Sequence, residues 1–370
     1  MTLLLDGTRP TAARVRTAAA IAGAVLGLAT GTAACGGTGG ASSQQRAAAS
    51  FLASYERRDG QIVRLNQGDD TVSEGQAYGM LLAEVAGNEG AFRKIWLWTR
   101  EHLQLPDGLF AYHASPAGKI ISREPAADAD LLIAWALLRY HGPAQAAWHR
   151  EGLRVSRAVL AHEVTDGQAG MPILTAGPWA TGRPASLDPS YWSLPALQGL
   201  AQLTGQTEWR RLGAGTVALV STLTRGGRLL PPDWAELSSS GSLRPEPAPD
   251  GSQPQTQYGP DAQRTVVWFA ASCNPAARTL AARWWTLLRS GDHRQALTLQ
   301  LDAAPLNAAP AVLPMEASAA AAQATGDLGA TRQLLQRAAS QERSHPSYYG
   351  GAWDALGQVL LTSSSLSRCH

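Results

Sequence analysis

The sequence predicts an all-α protein built as a closed toroid of helical hairpins, and three observations lead to this architecture. Apolar residues recur at helical spacing through most of the chain from Arg46 onward, strand patterns are nearly absent, and short joints link many consecutive helices. No period is regular enough for a solenoid of repeats. With 370 residues, 45% of them hydrophobic and 16% charged, the chain is long enough to bury a large core.

The first 35 residues are typical of an export signal. Arginines precede an apolar run from Ala18 to Ala29, which is shorter than the roughly 20 residues that a membrane span needs. Small residues then lead to Cys35 in a pattern similar to the lipobox of bacterial lipoproteins, except that Thr32 stands where leucine is usual. Two alternatives follow: lipidation of Cys35 at the outer face of the cell membrane, or cleavage near Ala34 and secretion.

Residues 36–45 are rich in Gly and Ser and are predicted to form a flexible tether, followed by a folded domain over residues 46–366. The whole chain carries 31 basic and 29 acidic side chains, and loss of residues 1–35 removes three arginines and one aspartate, which leaves 28 of each. This balanced charge gives no basic bias toward nucleic acid.

The chain has three cysteines, and none lies in a CxxC or Cys/His arrangement with metal-ligand spacing. If Cys35 carries lipid, Cys273 and Cys369 remain as a possible pair in an oxidising compartment, where a disulfide would pin the C-terminal tail to the body. Two free thiols are the alternative. No metal site is predicted.

Thirteen segments have apolar residues at helical spacing. They are residues 47–57, 75–86, 90–103, 128–141, 144–163, 191–203, 208–222, 262–273, 275–289, 293–301, 315–325, 328–341 and 353–361. Many are consecutive pairs with tight joints, such as residues 141–143 and 204–206, which is the pattern of helical hairpins. Residues 238–257 are rich in Ser, Pro and Gly and are predicted to be irregular, either bordering a cleft or forming a disordered insertion.

Polar and aromatic residues repeatedly stand just before, or at the start of, an apolar helix. These clusters are Ser73-Glu74, Asp128, residues 188–191, Asp261 and residues 347–350. Capping alone explains any one of them, because Ser and Asp are preferred at helix N-termini. In a toroid of hairpins, however, these N-termini gather on one face, so five such clusters together favour a cleft there.

The block Val-Ser-Glu-Gly-Gln-Ala-Tyr-Gly-Met at residues 72–80 resembles the one that carries the proton-donating glutamate in family 8 glycoside hydrolases, which include cellulases and chitosanases. The resemblance implies that Glu74 is a general acid, with Ser73 as the N-cap of its helix. The alternative is an ordinary first-turn glutamate. Because a helix N-terminus lowers the pKa of a carboxyl, a proton donor here needs an opposing influence, such as the nearby carboxylate of Asp128 and an apolar wall.

Two further blocks resemble the same family. Residues 126–138 are similar to its Asp-x-Asp signature before an apolar helix, which implies that Asp128 holds the distorted sugar and that Asp130 is structural; Ala127 replaces the usual hydroxyl residue. Residues 258–264, Tyr-Gly-Pro-Asp-Ala-Gln-Arg, are similar to the block of the general base. This gives Asp261 that role and Arg264 a supporting one, although Pro260 replaces an aromatic residue.

The resemblance extends over residues 48–361, because residues 188–192 and 229–234 are similar to the family's Asn-Pro-Ser-Tyr and Pro-Asp-Trp segments. It looks closest to the secreted endoglucanases that accompany bacterial cellulose synthases. Aromatic residues in loops or at helix starts are candidates for stacking on sugar rings. They are Tyr112, Trp179, Tyr191, Tyr348 and Tyr349.

The resemblance therefore implies an (α/α)6 barrel with a cleft on the N-terminal face of its inner helices. The implied activity is inverting endo-hydrolysis of β-1,4-glucan by a monomer that needs no cofactor and lies outside the cytoplasm, with a cellulose synthase as a possible partner. A chitosanase or mixed-linkage glucanase is the alternative within this chemistry. A catalytically weak glucan-binding protein is the alternative from another class, motivated by Ala127 and Pro260.

Overall fold

A computed structural model describes residues 41–65, 67–167 and 170–367. Within these residues, twelve α-helices form the predicted (α/α)6 barrel. They are α1 (Ser43–Tyr55), α2 (Ser73–Val85), α3 (Glu89–His102), α4 (Ala127–Arg139), α5 (Gln145–His162), α6 (Leu194–Thr204), α7 (Thr207–Leu223), α8 (Pro260–Ala271), α9 (Pro275–Leu288), α10 (Val312–Ala324), α11 (Leu328–Ser344) and α12 (Tyr348–Thr362).

The even-numbered helices form the inner ring. Each contacts the next even-numbered helix, and α12 contacts α2, which closes the ring. Helix α4 shows why the sequence places them inside: every residue from Ala127 to Leu138 is buried, and a helix that is apolar all round needs partners on every side. Odd-numbered helices such as α3 bury one face only. The ring therefore has its inner N-termini on one face.

Aromatic side chains pack where inner helices meet. Trp353 of α12 lies with its ring centre 5.7 Å from that of Tyr78 on α2 and 5.3 Å from that of Trp268 on α8. All three rings are almost completely buried. This packing gives the cleft-facing helix starts a rigid base.

Ten short strands in four small sheets lie between the helices of the described part, although the sequence shows almost no strand pattern. They are β1 (Thr71–Val72), β2 (His113–Ala114), β3 (Ile120–Ser122), β4 (Val164–Asp166), β5 (Pro172–Leu174), β6 (Ala185–Leu187), β7 (Trp234–Leu237), β8 (Leu243–Glu246), β9 (Ala296–Leu299) and β10 (Pro305–Pro310). The sheets are antiparallel, in the orders β1-β2-β3, β4-β5, β6-β7-β8 and β10-β9.

Several elements differ from the prediction in type or in bounds. The helix predicted over residues 293–301 is instead a 3₁₀ turn followed by β9, because its apolar residues pair with β10 as a hairpin. Helix α1 begins at Ser43, where Ser42 and Gln45 form a capping box, so the last three residues of the predicted tether are helical. The predicted export signal, its Cys35 and residues 36–40 lie outside the described residues.

Only Cys273 of the predicted cysteine pair lies within the described residues. Cys273 is disulfide-bonded, while Cys35 and Cys369 lie outside the described residues, so its pairing with Cys369 stays a prediction. Every helix in the described ranges is too short or too polar to cross a bilayer. The segment predicted to be irregular contains β8, which pairs with β7 and carries the following loop to the cleft described below.

Candidate active site

A cavity of about 520 Å³ lies at the N-terminal face of the inner helices. Seven of the nine predicted catalytic and substrate-binding residues line it. They are Glu74, Tyr112, Asp128, Trp179, Tyr191, Asp261 and Arg264. Loop residues 249–253 and Trp234 form part of its wall, so the Ser/Pro/Gly-rich segment does border the cleft.

Arg264 lies at the centre of this site and is 2% exposed. Its Nη1 donates to Glu74 Oε2 and to Asp128 Oδ2, each at 2.9 Å. Its Nη2 donates to Asp261 Oδ1 at 2.9 Å and lies 3.7 Å from Asp188 Oδ2. One cation thus joins carboxylates from α2, α4, α8 and the loop before α6, a wider role than the predicted support of Asp261 alone.

Ionising all four carboxyl groups around one guanidinium costs electrostatic free energy, because a single positive charge cannot balance four negative ones. Burial raises the pKa of Glu74 to about 7; Arg264 opposes this effect, and the charges of Asp128 and Asp261 add to it. Burial also raises the pKa of Asp128, and it raises the pKa of Asp188 well above the usual range. The opposing influence that the sequence argument required for a proton donor at a helix N-terminus is therefore present.

Contacts of neighbouring residues explain why several positions in the block around Glu74 carry the residues they do. Gln76 accepts a hydrogen bond from Ile62 N at 2.6 Å and donates to Thr99 Oγ1 at 2.8 Å, which ties α2 to α3 and to the preceding loop. Gly75 is required because a Cβ there would overlap the Tyr348 hydroxyl. The predicted N-cap is wrong: Ser73 is the first helical residue, and Val72 precedes it as the N-cap without a side-chain hydrogen bond.

The two acids of the block around Asp128 have different partners. Asp128 accepts from Ala129 N at 2.8 Å while its other oxygen faces Arg264. Asp130 is fully buried and accepts from Phe110 N at 2.8 Å, which confirms the structural role predicted for it. Ala127 is buried as the first residue of α4.

The predicted aromatic residues separate into two groups. Tyr112 is 37% exposed and Trp179 is 44% exposed, so both present ring surface at the cleft. Tyr191 lies beneath the Arg264 guanidinium, 5.4 Å from it. Tyr348 is only 2% exposed and packs against Phe51 and Tyr55, so its prediction as a sugar platform is wrong.

Tyr349 is partly buried, and its contact with substrate stays a prediction. Its hydroxyl donates to Pro260 O at 3.3 Å, which ties α12 to the first residue of α8. The sequence predicts residues 188–191 at the cleft face but gives Asp188 no role there. The available signal was that Asp188 stands where the family has asparagine. Trp234, in the Pro-Asp-Trp segment, packs its ring 6.5 Å from Tyr191.

The described residues contain no group of three or more His, Cys, Asp or Glu side chains arranged to hold a metal ion. The chemistry open to this arrangement is acid–base work by carboxyl groups of unequal pKa, beside exposed aromatic rings that suit a sugar polymer.

Comparison with known proteins agrees with this geometry. The model of glycosyl hydrolases family 8 matches residues 37–362. An endoglucanase from Cellulomonas uda is 32% identical over 205 residues, which are 53% of this chain and 56% of that protein. A probable endoglucanase from Novacetimonas hansenii is 31% identical over 254 residues, which are 64% of this chain and 70% of that protein. The first of these matches thus spans little more than half of its relative.

A solved family 8 endo-β-1,4-glucanase from an Achatina fulica gut metagenomic library has a TM-score of 0.70 and 26% identity, and the match covers 85% of this chain and 96% of that chain. The agreement therefore includes nearly the whole barrel. A family model that spans most of the chain, together with the acids gathered around Arg264, leads to one conclusion: this protein belongs to family 8 of the glycosyl hydrolases.

Proposed function

We propose that this glycoside hydrolase is an endo-β-1,4-glucanase that cleaves with inversion, with Glu74 as general acid and Asp261 as general base. One observation carries the proposal. The two carboxyl groups are held on different nitrogens of the same buried guanidinium, and they lie in unlike surroundings. Burial raises the pKa of Glu74 to about 7, whereas the side chain of Asp261 remains 28% exposed to the cleft.

Inversion uses such a pair in a single displacement. The protonated acid gives its proton to the leaving glycosidic oxygen, while the ionised base accepts a proton from the water that attacks the anomeric carbon from the other face. This requires a separation of roughly 6.5–9.5 Å between the carboxyl groups, which leaves room for the water. Because Glu74 and Asp261 bind different nitrogens of the planar Arg264 guanidinium, their carboxyl groups are kept apart. We assign the holding of the sugar at the cleavage point to Asp128, and its position on the same nitrogen as Glu74 supports this.

The substrate class is supported by the cleft wall and by the relatives. Tyr112 and Trp179 present apolar ring surface on which flat glucan faces stack. The two curated relatives described above are named as an endoglucanase and a probable endoglucanase. Glu124 and Asp250 add two carboxylates to the lining, and among the described residues of that lining Arg264 is the one basic side chain. This acidic rim favours chitosan as the second candidate substrate.

The test is hydrolysis of cellohexaose and of a chitosan hexamer, with the first-formed anomer followed by proton NMR. We expect the wild type to release the α anomer first, and Glu74→Gln to lose roughly 10³-fold or more in kcat. Glu208→Gln is the matched control, since Glu208 is an exposed first-turn glutamate on the outer helix α7. A β anomer as first product, or full activity in Glu74→Gln, would reject the mechanism. Binding without turnover by the wild type would favour the glucan-binding alternative.

The pH dependence follows from the state of Glu74. Since the acid must be protonated and its pKa is raised to about 7, we expect kcat to fall as pH rises through about 7. A profile of kcat from pH 4 to 9 measures this limb. A plateau that continues unchanged to pH 9 would exclude Glu74 as the titrating acid.

The proposed place of action is outside the cytoplasm, either secreted or attached by lipid at Cys35, with β-glucan as the substrate and a cellulose synthase as a partner. The support is the export-type pattern of residues 1–35 and the likeness of the sequence blocks to endoglucanases that accompany such synthases. Mass spectrometry of the mature N-terminus, compared with Cys35→Ala, distinguishes a diacylglyceryl cysteine from simple cleavage. Sedimentation of the mature protein tests the proposed monomer.

A further inference from the structure

Asp233 is a buried carboxylate that the mechanism above does not use. It stands immediately before β7 and is 1% exposed. Its Oδ1 accepts hydrogen bonds from Gly259 N at 2.9 Å and from Ala262 N at 2.8 Å, and its Oδ2 accepts from Gln257 Nε2 at 3.0 Å. All three donors belong to the chain just before, or in the first turn of, α8.

Helix α8 has no cap of its own. Its N-cap is Gly259, which carries no side chain, and the first residue is Pro260. The first N–H groups of a helix need partners from outside it, and a side-chain oxygen of the N-cap normally supplies one. Here Asp233 supplies that oxygen from a residue 29 positions before Ala262. A Cβ on Gly259 would overlap Asp233 Oδ2, so the close approach of the carboxylate requires glycine there.

The backbone around Asp233 is also fixed by hydrogen bonds. Asp233 N donates to Gln257 O at 2.9 Å. The next residues form β7, the central strand of its sheet, which pairs with β6 through Leu187 and Ala235. Strand β6 leads directly into Asp188. The sheet therefore fixes Asp233 relative to another carboxylate beside Arg264.

The first turn of α8 carries both halves of the site. Asp261 is its second residue, and Arg264 lies one turn further on, at hydrogen-bond distance from three acids. A shift of this turn would move the base and the cation together. Tyr349 gives the turn a second external contact through Pro260 O, but it leaves the N–H groups to Asp233.

We propose that Asp233 is a positioning residue for the hydrolysis: its carboxylate caps α8 from outside the helix and so sets where Asp261 and Arg264 stand. The kinetic part of this inference rests on the proposed function. Asp233 is buried and touches backbone amides, so it acts through Asp261 and leaves binding of the glucan chain to other residues. Loss of the cap should therefore lower kcat and leave KM nearly unchanged.

The test compares Asp233→Ala, which removes both acceptor oxygens, with Asp233→Asn, which keeps one. Asparagine and aspartate are similarly good N-caps, and the amide of Gln257 can turn to present its oxygen to the new NH₂ group. We expect a loss of roughly 10²-fold in kcat for Asp233→Ala, because displacements of about 1 Å have effects of that size. Asp233→Asn should recover most of this loss.

Asp327→Ala is the matched control, because Asp327 caps the outer helix α11 through Ala330 N at 3.0 Å and is exposed. Amide hydrogen exchange gives a readout that needs no activity. Exchange at Gly259 and Ala262 should accelerate in Asp233→Ala only, and exchange at Ala330 in Asp327→Ala only. If Asp233→Ala does not fold, Asp233→Ser, whose shorter side chain cannot reach both amides, replaces it.

Unchanged exchange at Gly259 and Ala262 in the folded Ala or Ser variant would overturn the cap. Unchanged kcat in that variant, or equal losses in the Asn and Ala variants, would overturn the positioning role. If the wild type hydrolyses neither glucan nor chitosan, the proposed function fails, while hydrogen exchange still decides whether Asp233 holds α8.

Discussion

Two clusters of carboxyl groups in the described part of the barrel differ in their surroundings. In the arginine cluster, Glu74, Asp128, Asp188 and Asp261 surround Arg264. In the acidic cluster, Glu316 on α10, Glu342 on α11 and Asp354 on α12 lie near one another, and the charge of Arg343 acts on Asp354. Glu316 is fully buried, and neither of its oxygens has a hydrogen-bond partner among the described residues.

The difference shows what the arginine does. Burial raises the pKa of Glu316 well above the usual range, and the neighbouring charge of Asp354 raises it further. Burial also raises the pKa of Asp354 to about 6 and that of Glu342 to about 7. Burial beside a like charge, as at Glu316, thus favours the protonated carboxyl. In the arginine cluster, the charge of Arg264 opposes the effect of burial on the pKa of Glu74 and of Asp128.

The largest expected effect comes from removing that cation. Arg264→Met leaves several buried carboxylates without their counter-charge, so we expect at least about 10³-fold lower kcat and roughly 3–5 kcal/mol lower stability at pH 7. At pH 5 the loss of stability should be smaller, since the acids can then protonate. Urea unfolding at both pH values and hydrolysis assays measure this.

Arg139→Met is the control for that experiment. Arg139 lies on the same helix as Asp128, at its C-terminal end. It donates two hydrogen bonds to the carboxylate of Glu84, from Nε at 3.0 Å and from Nη2 at 2.8 Å. It should lose stability and keep its kcat. An Arg264→Met variant with more than a tenth of wild-type activity would mean that Arg264 is not what maintains the acid–base pair.

The helices and the three acids at their starts could be predicted because each is a local signal. Inner helices such as α4 contain long apolar runs, here residues 131–138, and Glu74, Asp128 and Asp261 each lie in a block recognisable without knowledge of the rest. Asp130 was separable from Asp128 for the same reason. Residues that lie in a recognisable local block could thus be predicted from the sequence.

The remaining features depend on contacts between distant segments. Strands of two to six residues are too short for an alternating pattern, and β7 becomes a strand because β6 and β8 lie on either side of it. Tyr348 looked like a sugar platform at a helix start, but its burial is decided by Phe51 and Tyr55, almost 300 positions earlier. A cap supplied from a distant strand, as by Asp233, leaves no trace in the sequence of the helix it caps.

A smaller effect is expected from neutralising Glu316. A carboxyl whose folded-state pKa is raised contributes stability that is present below its unfolded pKa, near 4.5, and is lost as pH rises through the folded value. Glu316→Gln should therefore match the wild type at pH 4 and be more stable at pH 8, by roughly 1–3 kcal/mol. Urea unfolding at the two pH values tests this, with the exposed Glu101→Gln as control. Equal stability at pH 8 would mean that Glu316 ionises in the folded state with little cost.

The smallest effect is expected at Glu342, which belongs to the same cluster but keeps hydrogen bonds. Its Oε1 accepts from Ser347 N at 3.1 Å and from Tyr55 Oη at 3.4 Å, and the residue is partly exposed. Glutamine can accept both bonds, and solvent screens the charge, so Glu342→Gln should gain less than about 1 kcal/mol at pH 8. Because the pKa of Glu342 is raised to about 7, that gain should develop as pH rises from about 4.5 to 7 and stay constant above it. If Glu342→Gln gained more stability than Glu316→Gln, the charges of the neighbouring carboxyls would determine the free-energy cost of ionisation. The presence or absence of hydrogen bonds would then not determine it.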